Sequence, residues 1–256
     1  MGEVIESVQN PKIKVARKLW KRRERDKSGL FLIEGYRELS RANVPVKMLF
    51  ICPELFLGEN EGVLIAKHKE VYTVSEKVFR SLSYRDRPDG LLAIAEQKHY
   101  GLDILKGKNP LYIVAEAIEK PGNLGTILRT ADGCGADGVI VCDKCTDIYN
   151  PNVVRASTGT LFTQPVVEAT TDECLEWLQK NGIAIVAATP HADTLYTDAD
   201  LRGPLAIAVG TEQYGLSEKW MRCKQVKIPM RGVADSLNVA MATTLLLYEA
   251  LRQRSS

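Results

Sequence analysis

Four uninterrupted apolar runs constrain this chain more than any other feature. They are Leu111-Tyr112-Ile113-Val114-Ala115, Val139-Ile140-Val141-Cys142, Ile183-Ala184-Ile185-Val186-Ala187 and Leu205-Ala206-Ile207-Ala208-Val209. A strand with one wet face alternates apolar and polar residues; a run that is apolar throughout belongs in a sheet covered on both sides, as parallel sheets are. Strands are therefore expected over 111–115, 138–142, 165–168, 183–187, 205–209 and 226–228. Helical periodicity between them predicts helices over 124–133, 151–159, 171–180, 216–221 and 236–254. This alternation specifies an α/β fold, a parallel sheet with helices on both faces, whose ligands sit at the carboxyl ends of the strands.

Ahead of this lies a smaller α/β unit. Asn10-Pro11 offers an N-cap and a first helical residue, and Ile13, Ala16, Leu19 and Trp20 mark an apolar helix face. Phe31-Leu32-Ile33-Glu34-Gly35 suits a buried strand leading into a helix through Glu38. Further strands are expected over 47–51, 71–74 and 91–95, with a helix over 75–82 that Ser75 can cap. The polar, turn-rich stretch 97–110 reads as a linker, so domains are placed at 1–105 and 106–256. Between Lys12 and Lys27 nine Lys or Arg face two acids, a concentration able to track a phosphate backbone and equally able to be a solvated helix face.

Composition narrows the class. Apolar residues at 45% and charged residues at 26% describe a soluble globular protein. No run reaches the roughly 18 apolar residues of a membrane span. Without a signal-peptide core the expected location is cytoplasmic, where the six cysteines stay reduced. Gly133-Cys134-Gly135-Ala136-Asp137-Gly138 matches G-x-G-x-x-G literally, but a dinucleotide site needs strand, glycines, helix in that order. Here a helix precedes and a strand follows, so the glycines read as a helix stop and a tight turn. Cys142 and Cys145 lack the second pair that a structural zinc requires, and packing is their expected role. His68, His99 and His191 fit no triad or metal spacing.

Three loops at strand ends carry the chemistry. After 111–115 come Asn123, suited to a helix N-terminus, Gly125, which lets a ligand approach the backbone, and Arg129, facing away from Leu124, Ile127 and Leu128. After 205–209 comes Gly210-Thr211-Glu212-Gln213-Tyr214-Gly215-Leu216-Ser217, glycine-bracketed with one acid. After 226–228 Pro229 ends the strand, a turn passes Arg231-Gly232, and Asp235 or Ser236 can cap the last helix. Leu237, Ala240, Met241, Thr244, Leu245, Tyr248 and Leu251 then give its expected apolar face. In a parallel sheet these loops share one edge, where main-chain groups, one carboxylate and one guanidinium can meet. An arginine there can be presented to a phosphate.

Taken together, the loops resemble the signature motifs of the SpoU (TrmH-type) RNA ribose 2′-O-methyltransferases of the SPOUT class. The first motif is Asn123-Leu124-Gly125-Thr126-Ile127-Leu128-Arg129-Thr130-Ala131. The second is Val209-Gly210-Thr211-Glu212 with Gly215-Leu216-Ser217, and the third is Ile228-Pro229-Met230 with Ser236-Leu237-Asn238-Val239-Ala240. Gln213 departs from the glycine that many members carry after the acid. The N-terminal region is similar to the L30e-like substrate-binding domain through Gln9-Asn10-Pro11-Lys12 and Phe31-Leu32-Ile33-Glu34-Gly35.

The resemblance implies a catalytic domain with a C-terminal trefoil knot that holds S-adenosylmethionine, its pocket completed in a homodimer. It implies cofactor contacts at Thr189, Gly210, Thr211, Glu212, Ile228, Met230 and Leu237, largely through backbone groups. Arg129 matches the catalytic arginine, which positions an RNA phosphate and the ribose hydroxyl; Asn123, Glu212, Ser236 and Asn238 match the remaining polar catalytic positions. Arg155, within Asn150-Pro151-Asn152-Val153-Val154-Arg155-Ala156-Ser157, is implied as an RNA-phosphate contact. Lys12, Lys14, Arg17, Lys21, Arg22 and Arg23 become an RNA surface. Structured RNA is the expected partner, 23S ribosomal RNA before transfer RNA, with a non-catalytic RNA-binding protein as the competing reading.

Overall fold

A computed structural model of the chain describes residues 4–58 and 61–255. The chain divides into two compact units, the first formed by Met1–Lys98 with Asp147–Thr163, the second by His99–Thr146 with Gln164–Ser256. The expected boundary near residue 105 leaves one feature out: the chain returns to the first unit for Asp147–Thr163 before completing the second.

The first unit holds a four-stranded sheet in the order β1 (Leu30–Glu34), β4 (Leu91–Glu96), β2 (Val46–Ile51), β3 (Val71–Thr73). Only β2 and β3 run parallel; β4 is antiparallel to both of its neighbours. The basic stretch expected as one helix is two, α1 (Pro11–Lys18) and α2 (Arg22–Ser28). Asn10 caps α1, its side chain accepting from Lys12 N at 2.9 Å. Ile13, Ala16 and Leu19 pack with Val78, Phe79 and Leu82 over one face of the sheet. The latter three come from α5 (Glu76–Leu82); Ser75 stands at its N-cap without a side-chain hydrogen bond there. Also in this unit are α3 (Tyr36–Arg41), α4 (Glu61–Ala66) and α7 (Pro151–Ser157). Helix α7 stops short of its expected end because Thr158 and Gly159 both turn left-handed. Phe31 of β1 meets Tyr149 with ring centroids 4.4 Å apart, which shows how Asp147–Thr163 enters this unit's packing.

The second unit holds a six-stranded parallel sheet. Its strands are β5 (Leu111–Glu116), β6 (Gly138–Cys142), β7 (Val166–Ala169), β8 (Ala184–Ala188), β9 (Leu205–Val209) and β10 (Lys224–Val226). Their spatial order is β10-β8-β9-β5-β6-β7. From β5 the chain winds one way to β6 and β7, whereas from β9 it moves the other way to β10. The β5–β9 seam is thus a topological switch point, where open α/β sheets bind ligands. Helix α8 (Thr171–Lys180), opened by a full Thr170/Glu173 capping box, packs Cys174 and Leu178 onto one face with Trp220. Helices α6 (Pro121–Gly133) and α9 (Val239–Arg254) pack on each other and against β6 and β9.

Five local expectations need correction. The last strand lies at Lys224–Val226, two residues early, and the helix expected over 216–221 is a 3-10 segment, Glu218–Arg222. Helix α6 begins at Pro121, so Asn123 lies in its first turn and Gly125 is buried instead of open to a ligand. Neither Asp235 nor Ser236 caps α9; Asn238 does. Much of the expected face of α9 is reversed: Ala240 is buried as expected and Thr244 and Leu251 partly so, but Leu237, Met241, Leu245 and Tyr248 are exposed, while Val239, Thr243, Leu246, Leu247 and Ala250 are buried.

Candidate functional site

At the switch point, three loop segments converge on Glu212. Lys120, the N-cap residue of α6, forms an ion pair with its carboxylate. Asn123 Nδ2 donates to Glu212 Oε1 at 2.8 Å, and Asn238 Nδ2 donates to the same oxygen at 2.6 Å. Asn238 Nδ2 also lies 3.1 Å from Asn123 Oδ1. The other end of the Asn238 amide caps α9, Oδ1 accepting from Ala240 N at 3.0 Å and Met241 N at 3.4 Å. An amide can cap and donate at once, whereas an ionised aspartate there could only accept. Hydrogen bonding from Lys120 foremost, and from Asn123, holds the Glu212 carboxyl below the usual range, while burial works in the opposite sense.

The loop carrying Glu212 is shaped by close backbone approach. Thr211 and Gly215 exchange backbone hydrogen bonds, each 3.0 Å, and Tyr214 N donates to Thr211 Oγ1 at 2.9 Å. A Cβ on Gly210 would collide with the backbone of Gly215 and Leu216, so only glycine fits there. Glu116, at the end of β5, anchors the far end of this loop. Its buried carboxylate accepts from Ser217 N and Ser217 Oγ, both at 2.7 Å, from Trp220 Nε1 at 2.9 Å and from Thr171 Oγ1 at 2.8 Å. Three donors from Ser217 and Trp220, with the Thr171 hydroxyl shared between Glu116 and Asp143 Oδ2 at 2.7 Å, satisfy a buried carboxylate that would otherwise be costly.

A cavity of about 150 Å³ opens beside Glu212, lined by Ile118, Lys120, Asn123, Thr211, Gln213 and Val239 among others. Of the residues singled out from the sequence, Asn123, Thr211, Glu212 and Asn238 are brought together here. Gly210 shapes the loop from behind. Thr189 follows β8 and donates its N–H to Val226 O at 3.0 Å, so it flanks the chain leading to Ile228 and Met230. Those three residues, with Ser236 and Leu237, are outside the cavity lining. Arg129 is exposed on α6, six residues and so about 9 Å along the axis beyond Asn123, outside the Glu212 network. Sequence reasoning missed Lys120 and Glu116. Lys120 had a signal, a cation immediately before the Pro121 that opens a helix; Glu116 could have been noticed as the one acid ending an apolar run.

The remaining residues lie in the first unit. Lys14, Arg17, Lys21, Arg22 and Arg23 are exposed on and between α1 and α2, and Lys12 holds its Nζ 4.8 Å above the Tyr72 ring. Arg155 is exposed on α7. Cys142 is buried, and hydrogen bonding with Cys174 together with burial pushes its thiol up, as suits packing.

With this geometry in hand, comparison with known proteins gives a consistent result. Residues 110–248 match the SpoU rRNA Methylase family and residues 10–93 match the MRM3-like substrate binding domain. The chain is 32% identical over 252 residues to a 23S rRNA (uridine(2479)-2′-O)-methyltransferase of Streptomyces viridochromogenes, covering 93% of this chain and 88% of that one. A crystal structure of an RNA 2′-O ribose methyltransferase superimposes with a TM-score of 0.89 at 42% identity, covering 99% of this chain and 100% of the other. The SpoU methyltransferase AviRb from Streptomyces viridochromogenes, in complex with AdoMet, superimposes with a TM-score of 0.89 at 32% identity, covering 97% and 99%.

Proposed function

Since the chain belongs to the SpoU rRNA methylase family, we propose that it transfers a methyl group from S-adenosylmethionine to a ribose 2′-hydroxyl of ribosomal RNA, most specifically 23S RNA. The observation that carries this reading is the convergence of Asn123, Glu212 and Asn238 at the β5–β9 switch point. The site suits such a donor: glycine-shaped loops offer main-chain groups, and the Glu212 carboxylate stands at the rim, with Glu119 also lining the cavity. A sulfonium methyl is already electrophilic, so the protein's task is alignment and help with a weakly acidic hydroxyl. Thr189, Gly210, Thr211, Ile228, Met230 and Leu237 hold the cofactor through the strand ends that bear them. Glu212, steadied by Lys120 and the two asparagines, keeps the loop in shape. Arg129 positions an RNA phosphate beside the hydroxyl, since a guanidinium is a poor base but a good phosphate fork. Ser236 is the remaining polar group of this motif.

A single chain offers about 150 Å³ beside Glu212, against the roughly 300 Å³ or more of a pocket for a ligand of this size. A second copy completes the pocket, docking on the exposed stripe of α9. The knotted path of the last strands belongs to the same proposal, as does a cytoplasmic location; among the described residues no helix is long and apolar enough to cross a membrane. The basic residues of α1 and α2, with Arg155, contact RNA phosphates.

The test is methyl transfer from labelled cofactor to ribosomal RNA by Arg129→Ala. Its expected outcome is a loss of transfer by roughly a hundredfold or more, with cofactor affinity within twofold of wild type. Transfer at the wild-type rate would remove Arg129 from the mechanism.

A further inference from the structure

We propose that a cleft on the first unit binds one unpaired nucleotide of the substrate RNA, its phosphates held by Arg37, Arg87 and Arg155 and its base laid against Tyr36 and Leu57. This rests on the RNA-methylating function above and adds a place where the RNA is gripped. The cleft is an open depression of about 690 Å³ with an ion-paired floor. Strand β1 ends at Glu34, and Gly35 (φ 114°) turns the chain into α3, which sets Tyr36 and Arg37 on the rim. Glycine suits Gly35 because its φ of 114° strains any L side chain, and a Cβ there would also press on the ends of the Glu38 and Arg85 side chains. Arg85 forms the floor: its Nη2 lies 2.9 Å from Glu38 and 2.7 Å from Glu34 O, and its Nη1 lies 3.7 Å from Asp89. Asp89 in turn accepts from Tyr36 N at 2.9 Å.

These pairings decide the sign of the cleft. Arg85 pairs with both Glu38 and Asp89 but offsets only one of their two charges, so with Asp86 two negative charges face the three further guanidiniums and the cleft keeps a net charge of +1. Arg37, Arg87 and Arg155 are exposed, and their side chains make no hydrogen bond or ion pair among the described residues. Arg155 arrives on α7, whose first turn is fixed by the Asn150 side chain accepting from Asn152 N at 2.9 Å. Planar guanidinium forks match phosphate oxygens, and three around one cleft make an anion site. The volume selects the form of the RNA. It lies within the roughly 300–1,000 Å³ of small-ligand pockets, so a splayed-out nucleotide enters while an A-form duplex, with its phosphates on convex ridges, does not. Tyr36 and Leu57 then offer the apolar wall on which an unstacked base rests.

The experiment compares wild type with Arg37→Ala/Arg87→Ala, leaving the half-buried Arg85 in place to preserve the floor. Fluorescence anisotropy is read with a short labelled single-stranded RNA of mixed sequence and with the matching duplex, across a salt series; transfer to ribosomal RNA is measured alongside. The double variant should lose single-strand affinity by roughly tenfold or more. The slope of log affinity against log salt should fall by about 1.4, the value for two phosphate contacts on a single strand. Arg37→Lys/Arg87→Lys should restore the slope but only part of the affinity. Unchanged affinity in the alanine variant, or an equal loss for the duplex, overturns the nucleotide cleft while leaving the methyltransferase reading intact. Wild-type protein that binds RNA but transfers no methyl to any of it overturns that reading instead.

Discussion

Asn238 shows how much one side chain can decide. Its oxygen accepts from Ala240 N and Met241 N at the start of α9, and its nitrogen reaches Glu212 and Asn123, so one side chain joins the start of the last helix to the site. Glu212 carries the charge on which the cluster depends. Because its pKa is depressed, principally by Lys120, the bonds it makes contribute fully above its unfolded value, about 4.3, and disappear as pH falls through the lower folded value. Cofactor affinity measured calorimetrically should therefore stay flat from neutral pH down to about 5 as far as Glu212 is concerned, and Glu212→Gln should bind more weakly throughout. A wild-type affinity that collapses near pH 6, with the collapse missing in Glu212→Gln, would contradict this.

At the level of elements, the strands were the most legible part of the chain. Runs apolar on both faces have few alternatives to a covered parallel sheet, and β6 and β9 fall on their expected residues. Helix ends were less legible, because several cap candidates stand within a few residues of each other and only packing selects among them. Asp235, Ser236 and Asn238 are all good caps by type, and α9 uses the one that Glu212 can also bind. The basic stretch hides a similar ambiguity. Arg25 reads like its exposed neighbours, yet it is only 1% exposed, its guanidinium forked onto Asp147 at 2.7 and 3.3 Å and donating to Leu19 O and Trp20 O. This pair ties α2 to Asp147–Thr163. Asp147→Ala would strand a buried guanidinium, and urea unfolding should show a loss of about 3–5 kcal/mol. Arg80→Ala, which removes an exposed pair with Glu76, should cost under about 0.5 kcal/mol. Equal costs would show that the Arg25–Asp147 pair contributes no more than a surface one.

For the molecule as a whole, the reversed face of α9 matters most. Leu237, Met241, Leu245 and Tyr248 lie at helical spacing, and periodicity alone reads them as the buried face. In one chain they are 37%, 58%, 40% and 47% exposed, while the smaller Val239, Ala240, Thr243 and Ala250 face α6 and the sheet alongside Leu246 and Leu247. A contiguous apolar stripe of this kind marks an association surface. If the proposed dimer uses this face, Met241→Glu/Leu245→Glu should leave the single chain folded, make it sediment as a monomer, and lower cofactor affinity by tenfold or more as the half-built pocket stays open. A double variant that sediments like wild type would rule out this face as the dimer contact.

By itself the amino-acid order determined the α/β class, the covered strands and the three loops that bear polar groups, since these follow from periodicity and residue type over short distances. Tertiary structure alone decided the strand order that sets the loops after β5 and β9 side by side, and with it the partnership of Lys120 and Glu116 with distant loops. It also decided which side of α9 is inside, because a helix with apolar residues all round has no preferred face until its neighbours supply one. Local pattern reports what a segment prefers; burial and charge pairing depend on what folds against it.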